Sequence, residues 1–220
     1  MNYYIYGWSD DLNVIGHYPQ TKLREGYNPR NNGHFKVKPN VFPDFIPNLE
    51  LDMHKKAKKT DFLGFSISNG IIVNKKCVQI LEKHTLPHHH IYPIKVYQNG
   101  ALLNYFWIHY IVNDFWDWLD IELSEAVIFD DKKIFEAVAP LDLNIPPDEF
   151  RNLEYFELPY HQHLRWDKIV FKKGFPYDLY QTRDVQILEI MSERLKETLE
   201  KENLTGFTTT LFNKTSMDNS

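Results

Sequence analysis

The sequence predicts an α+β fold with mainly antiparallel or mixed sheets and a few helices. Two observations support this class. Segments rich in Val, Ile, Tyr and Phe are separated by Pro, Asn and Gly, and they do not alternate regularly with helical segments. Two strand-helix-strand units can also be recognised, one after Phe62 and one near the C-terminus.

The first unit begins with FLGFSISNGIIVN, which predicts strand structure interrupted at Asn69-Gly70. Asn74 then suits the N-cap of a helix, KKCVQILEKH, because its short side chain can accept a hydrogen bond from the first helical turn. IYPIKVY alternates like a strand, and Pro93 favours an edge position or a bulge because proline has no N–H to donate.

The second unit repeats this order near the C-terminus. VQILEIM predicts a strand, Ser192 an N-cap, ERLKETLEKEN a helix, and GFTTTLF, starting at Gly206, a closing strand. A shift of 118 positions aligns the two units and superimposes Ile72 on Ile190, Asn74 on Ser192, Cys77 on Leu195, Leu81 on Leu199, Glu82 on Glu200 and Lys83 on Lys201. Either a duplication or two uses of a common motif explains this similarity.

The stretch between the units predicts further strands. A long aromatic strand is expected at 105–112, a second at 126–129 and another at 161–171. EAVAPLDLNIPPDEF predicts one more strand followed by a proline-rich loop. Strands therefore outnumber helices throughout this region.

Three parts of the chain differ in composition. Residues 1–60 are rich in proline and asparagine but still contain apolar residues, so they predict a loop-rich N-terminal segment packed on the main domain. Residues 61–213 form the predicted α+β domain. Residues 214–220 are polar and predict a frayed tail.

Composition restricts the possible environments. The chain has 220 residues, a formal net charge of -5 and one cysteine, Cys77, so no internal disulfide can form and the cytoplasm is favoured. Neither a secretory leader nor an apolar run of about 20 residues is found, which argues against export and membrane insertion. Mild acidity also argues against a nucleic-acid partner.

Enzyme signatures are absent from the sequence. No GxSxG element and no glycine-rich phosphate loop occurs, and Cys77 is expected on the apolar face of a helix, where a thiol is inert. The sequence therefore predicts no catalytic residue, no cofactor, no metal and no enzymatic activity.

The ten histidines suggest one alternative. His88, His89 and His90 stand in a loop bounded by proline, and His161 and His163 form an HxH pair whose rings would share one face of a strand. A metal-dependent hydrolase could use such residues, although no HExxH helix or paired CxxC accompanies them. An uncharacterised structural or regulatory protein is the remaining alternative.

The acidic aromatic stretch after position 113 is the candidate binding region. Its carboxylates and tryptophans permit three interpretations: a glycosidase site, a helix start over an aromatic core, or a surface that binds a basic protein. The residues selected as candidate partner-binding residues are Trp116, Asp117, Trp118 and Asp120.

Three segments carry a resemblance to a known family. They are PDF at Pro43 to Phe45, LDIELSEAVIFD around Asp120 and Ser124, and ILEIMSERLKETLEKENLTGFTTTLF at the end. Together they resemble a bacterial family, formerly a domain of unknown function, that is regarded as immunity proteins of polymorphic toxin systems (immunity family eleven). The sequence departs from the family pattern where the first helix starts at Asn74 instead of a serine.

The resemblance implies a non-enzymatic cytoplasmic protein that binds a cognate toxin domain and blocks its active site or a neighbouring surface. Its partner would be that toxin protein, with no nucleic acid and no membrane involved. The interface, the toxin's activity and the oligomeric state are not fixed by the family pattern, because such proteins recognise their toxins through variable surface residues.

Overall fold

The computed structural model describes residues 2–31, 33–38, 40–65, 67, 70–133, 137–212 and 215–217, with 215–217 described as backbone only. In chain order, the strands are β1 (Tyr3–Trp8), β2 (Thr21–Leu23), β3 (Glu50–Met53), β4 (Phe62–Leu63), β5 (Gly70–Asn74), β6 (His88–Gln98), β7 (Ala101–Ile111), β8 (Glu125–Asp130), β9 (Ala137–Leu141), β10 (Gln162–Phe171), β11 (Leu179–Gln181), β12 (Glu189–Ser192), β13 (Phe207–Leu211) and β14 (Thr215–Met217). The helices are α1 (Leu12–Ile15), α2 (Lys75–Leu81), α3 (Phe115–Trp118), α4 (Pro147–Asn152) and α5 (Glu193–Lys201). A π-helical turn, Leu153–Glu157, continues α4. No described helix is long and apolar enough to cross a membrane.

The described strands form three sheets, which confirms the predicted α+β class. The six-stranded sheet has the order β2-β3-β6-β7-β5-β4, and the two four-stranded sheets have the orders β11-β12-β1-β13 and β14-β10-β8-β9. The pairs β3–β6 and β10–β14 are parallel, and the other pairs are antiparallel. The sheets are therefore mainly antiparallel and in part mixed, as predicted.

The first strand-helix-strand unit has the predicted N-cap. The Asn74 side chain accepts a hydrogen bond from the Cys77 backbone N–H at 2.9 Å and so starts α2. β6 follows, and at Pro93 it pairs only with β7, because β3 joins β6 from Lys95 onward. Pro93 thus occupies a local edge, as expected for a residue without an N–H. Asn69, where the sequence predicted a strand break, lies outside the described residues.

The second unit is built in the same way. The Ser192 hydroxyl accepts a hydrogen bond from the Leu195 backbone N–H at 3.1 Å and starts α5. Leu195 and Leu199 are buried on the inner face of this helix and belong to the same apolar core as Cys77 and Leu81 of α2. β12, α5 and β13 therefore match the predicted order.

The two units also share a topology that the sequence did not predict. β5 and β6 both pair antiparallel with β7, while β12 and β13 both pair antiparallel with β1. β4 and β11 complete them at equivalent edges. We call β4, β5, α2, β6 and β7 unit A, and β11, β12, α5, β13 and β1 unit B. This shared arrangement favours duplication as the explanation of the 118-residue similarity.

The N-terminal segment contributes strands as well as loops. β1 forms the centre of unit B, and β2 and β3 extend the six-stranded sheet. The residues of this segment that pack in the apolar cluster with β5, β6 and β7 are Val37, Leu49, Leu51, Met53 and Ala57. The boundary placed at residue 60 therefore separates strands that belong to the same sheets.

Two regions predicted as a loop and a frayed tail contain regular secondary structure. The proline-rich loop after β9 ends in α4, where Pro147 occupies the first helical turn and its missing N–H leaves no helical bond unmade. Within the predicted frayed tail, 214–220, residues 215–217 form β14 beside β10. The other residues of this tail lie outside the described part of the chain.

Candidate functional site

An open cleft of about 1050 Å³ is lined by several separate parts of the chain. Its walls come from the end of β7 and the start of α3, from the loop between β11 and β12, and from α4 with its π-helical turn. Further lining residues are Lys38, Asn40, Val41, Ile67, and His163 and Leu164 of β10. Pockets for small molecules typically measure about 300 to 1,000 Å³. The volume of the cleft therefore lies at the upper end of this range, and because the cleft is open it can also admit side chains of a protein segment.

The floor of the cleft is buried and contains one acceptor without a partner. Phe115 and Gln181 line it and are both buried. Gln181 Nε2 donates to Glu189 Oε1 at 2.7 Å, and the Tyr110 hydroxyl donates to Glu189 Oε2. Burial raises the pKa of the Glu189 carboxyl to about 7, although these two hydrogen bonds lower it. Gln181 Oε1 is buried and has no hydrogen-bond partner among the described residues.

Trp116 forms a wall of the cleft and is fixed in place. Its Nε1–H donates to Asp184 Oδ2 at 2.7 Å, and its ring stacks on Phe150 of α4 with 5.2 Å between ring centroids. These contacts hold α3, α4 and the loop after β11 together. Because Trp116 is only half-buried and lines the cleft, part of its side chain remains available for contact.

Charged side chains of both signs line the cleft. Three are basic and three are acidic: Lys38, Arg151, Arg183, Asp148, Glu154 and Asp184. Several already have protein partners: Arg183 donates to Asn40 Oδ1 at 3.3 Å, and Glu154 Oε1 accepts from the Leu164 backbone N–H at 3.3 Å. A ligand that fits this arrangement must itself carry both donors and acceptors.

The rim of the cleft carries exposed apolar side chains. Val41, Tyr155 and Ile187 line the cleft and are 53%, 70% and 65% exposed. Phe156, next to Tyr155 in the π-helical turn, is 82% exposed. Apolar and aromatic side chains gathered at one opening mark a surface that binds another molecule.

The four predicted partner-binding residues occupy different surroundings. Trp116 lines the cleft, but Trp118 donates its Nε1–H to Asp114 Oδ2 at 2.8 Å and packs edge-on against the Phe175 ring. Asp117 is exposed, while Asp120 Oδ1 accepts the Leu123 backbone N–H at 3.1 Å within a turn. The geometry therefore places only Trp116 of the four at the cleft.

The histidines singled out in the sequence fall on two sheets. The predicted loop at His88, His89 and His90 is wrong, because these residues begin β6 and pair with β7; the His90 ring stacks on Phe42 at 3.9 Å between centroids. His161 immediately precedes β10 and His163 lies on it, in another sheet. Among the described residues, no three His, Cys, Asp or Glu side chains lie together in a way that could hold a metal ion.

Cys77, the single thiol, is fully buried in α2. Burial raises the pKa of this thiol well above its usual value, and the nearby Asp61 carboxylate raises it further. The thiol is therefore protonated at neutral pH and packs as a small apolar group.

Comparison with known proteins does not identify the function of this cleft. The chain matches no protein-family model, and a search of curated proteins finds no match. The resemblance to immunity proteins therefore stays a prediction from the sequence.

Sequence reasoning missed most of the rim. Val41, Tyr155 and Ile187 come from three distant parts of the chain, so no local pattern unites them. A signal was present for one part, because Tyr155, Phe156 and Tyr160 place three aromatic residues within six positions without the alternation of a buried strand. Exposed aromatic residues in such a context indicate a contact surface.

Proposed function

We propose that this protein is a non-enzymatic, immunity-type protein that binds and neutralises a cognate bacterial toxin domain. The observation that carries the proposal is the cleft of about 1050 Å³ with its exposed apolar rim. The family resemblance supplies the class of partner. The single cysteine, which cannot form an internal disulfide, supports action in the cytoplasm.

The rim supports protein binding in particular. Protein interfaces concentrate their affinity in a few aromatic or apolar anchors surrounded by polar groups. Tyr155 and Ile187 supply such anchors, and the balanced charges inside the cleft supply the polar surroundings. A toxin segment that inserts here would bury apolar groups on the rim and meet charged groups below them.

The overall charge supports a basic toxin. With a formal net charge of -5, the protein attracts a basic partner before any specific contact forms. Opposite potentials raise the association rate more than the final affinity. We therefore expect the association rate to fall with added salt while the dissociation rate changes little.

The first experiment co-expresses the chain with the product of the adjacent reading frame. We expect that product to arrest growth, the chain to restore it, and the purified pair to form a tight 1:1 complex. A harmless neighbour, or a toxic one that does not bind this chain, would remove the proposal. Metal analysis of protein purified without a tag would then test the hydrolase alternative.

A pair of variants tests the cleft itself. Tyr155→Ala and Ile187→Ala should each weaken toxin binding about 30-fold, the effect of losing a contact worth about 2 kcal/mol. Both side chains are mainly exposed, so folding should be preserved. Leu102→Ala is the matched control, because Leu102 is 59% exposed but lies near the start of β7, whereas the cleft adjoins its end. Equal binding by all three variants would place the interface elsewhere.

A further inference from the structure

A second surface, formed by residues between positions 17 and 58, concentrates positive charge. We call it the basic face; its residues are His17, Lys22, His54, Lys55, Lys56 and Lys58. The His17 and His54 rings stack with 3.4 Å between centroids. Backbone pairing of β2 with β3 places Lys22 opposite Asp52, two residues before His54. None of these six residues lines the cleft described above.

Hydrogen bonds fix the loop that carries three of these lysines. The Lys58 backbone N–H donates to the Ile15 carbonyl at 2.8 Å, and Gln20 Nε2 donates to the Lys58 carbonyl at 3.1 Å. Gln98 Nε2 donates to the carbonyls of His54 and Ala57 at 3.2 and 2.7 Å. The loop is therefore pre-organised, which lowers the entropy lost when a partner binds.

Gly16 permits the close contact behind this loop. Its φ is +74°, and a Cβ at this position would lie 2.5 Å from the Lys56 carbonyl oxygen. Only glycine adopts this backbone conformation without strain and leaves room for that carbonyl. The position of the lysine loop thus depends on a residue that carries no side chain.

The lysines of the basic face form no ion pairs among the described residues, although Asp52 lies opposite Lys22. Lys22, Lys55, Lys56 and Lys58 are exposed. Lys58 Nζ instead donates to the Asn13 carbonyl at 2.7 Å. Desolvation and then the stacked His17 ring lower the pKa of His54, and the neighbouring ammonium groups lower it further.

We propose that the basic face binds an acidic polypeptide segment, rich in Asp or Glu, of a second protein partner. The exposed ammonium groups supply the charge complementarity, and Tyr18, 70% exposed beside His17, supplies an aromatic contact. This inference goes beyond the proposed toxin binding and does not depend on it.

Charge outside the basic face favours a short acidic segment over a nucleic acid. The chain has 25 basic and 30 acidic residues, so without these four lysines it has 21 basic and 30 acidic, a formal charge of -9. A duplex carries one negative charge per about 1.7 Å and would extend onto this repelling surface. A segment of a few carboxylates can remain within the basic face.

The experiment measures binding of a fluorescent peptide of eight glutamates to the full chain at 150 mM salt. Lys55→Glu combined with Lys56→Glu should weaken binding at least tenfold. Lys132→Glu combined with Lys133→Glu is the matched control, because it makes the same change in net charge on exposed residues elsewhere and should have little effect. An equal loss in both double variants would reduce the effect to net charge and overturn the proposal.

Two further measurements complete the test. In NMR titrations of the wild-type chain, the peptide should raise the pKa of His54, because added carboxylates favour the charged imidazolium. A single-stranded oligonucleotide and vesicles containing anionic lipid serve as competing probes. If either binds through Lys55 and Lys56 while the peptide does not, the acidic-polypeptide assignment is wrong. Toxin protection by the Lys55→Glu, Lys56→Glu variant should remain intact, which separates this surface from the cleft.

Discussion

Units A and B use the same architecture but are connected differently along the chain. In unit A the central strand, β7, follows β6 through a two-residue turn, Asn99-Gly100. In unit B the central strand, β1, comes from the opposite end of the chain. Equivalent positions can still be assigned, since the N-cap residue pairs with Tyr105 in unit A and with Tyr3 in unit B. The arrangement of the elements is therefore independent of how the chain connects them.

An aspartate joins the units at two equivalent points. Asp61 immediately precedes β4 and Asp178 immediately precedes β11. The Asp61 carboxylate accepts the Thr205 backbone N–H at 2.8 Å, and the Asp178 carboxylate accepts the Thr85 backbone N–H at 2.8 Å. Each threonine follows the helix of the other unit. The same two aspartates also bind the N-cap side chains of their own units, so each couples a helix start in one unit to a helix end in the other.

The two aspartates differ in their surroundings. Asp178 is 2% exposed, and Arg194 donates to both of its oxygens. Burial alone would raise the pKa of Asp178, but hydrogen bonds from Arg194, Ser192 and Thr85 lower it below its ordinary value. Asp61 is more exposed and has no cation beside it in the described ion pairs. Of the two equivalent aspartates, only the buried one, Asp178, is paired with a cation in the described ion pairs. An unpaired buried carboxylate would cost free energy.

The largest effect should follow from removing β1. Deletion of residues 2–8 takes the central strand from unit B and leaves β12 and β13 without their shared partner, so we expect loss of cooperative unfolding in urea.

A permuted chain provides the control for this deletion. It starts at Ser9 and continues after Phe212 through Asn-Gly into residues 3–8. Because this order omits β14, the deletion of residues 2–8 is also made in a chain that ends at Phe212. The Phe212 backbone N–H already donates to the Tyr3 carbonyl at 3.2 Å, so a two-residue turn spans the gap as it does in unit A. Recovery of cooperative unfolding would show that the units are equivalent. If cooperative unfolding is not recovered, units A and B are not equivalent.

The aspartates should differ in energetic importance. Asp178→Ala leaves the Arg194, Ser192 and Thr85 donors without their acceptor and should lower the free energy of unfolding by about 3 kcal/mol. Asp61→Ala should lower it by about 1 kcal/mol, because water can replace the more exposed carboxylate. Urea unfolding at pH 7 measures both values. Equal losses would mean that burial does not distinguish the two positions.

Acid should affect unit A before unit B. His109 of β7 is buried, and neither ring nitrogen has a hydrogen-bond partner among the described residues. Burial lowers its pKa to about 4, and nearby His90 lowers it too. The unfolded chain therefore binds a proton that the folded chain does not, and stability falls as the pH drops from 6.5 to about 4.

A substitution at this position tests the difference. His109→Phe should resemble the wild type at pH 7 and exceed its stability by about 2 kcal/mol at pH 5. The equivalent position in unit B is Gly7, which has no side chain to titrate. Hydrogen exchange at pH 5 should therefore show increased opening in β5 to β7 but not in β12, β1 and β13. Uniform opening, or an unchanged pH dependence in the variant, would contradict this assignment.

The sequence predicted the parts of the units that depend on neighbouring residues. Asn74 and Ser192 identified both helix starts, because a cap acts within one turn. The partner of β1 could not be predicted, since the aromatic and β-branched residues of YYIYGW favour a strand but do not show which distant strand it joins. The cleft could be predicted only in part for the same reason. The local pattern around Trp116 identified one lining residue, but no local pattern connects it to Ile187, which is remote in sequence.

The position of β1 has a consequence during protein synthesis. Trp8 pairs with Phe207, so about 200 residues must be translated before the second neighbour of β1 exists. At roughly 5 to 20 residues per second, β1 waits for about 10 to 40 s on the ribosome. All the strands of unit A emerge earlier and can fold in that interval. The nascent chain therefore carries an unpaired aromatic strand, a target for chaperones and for aggregation, until its last strands leave the exit tunnel.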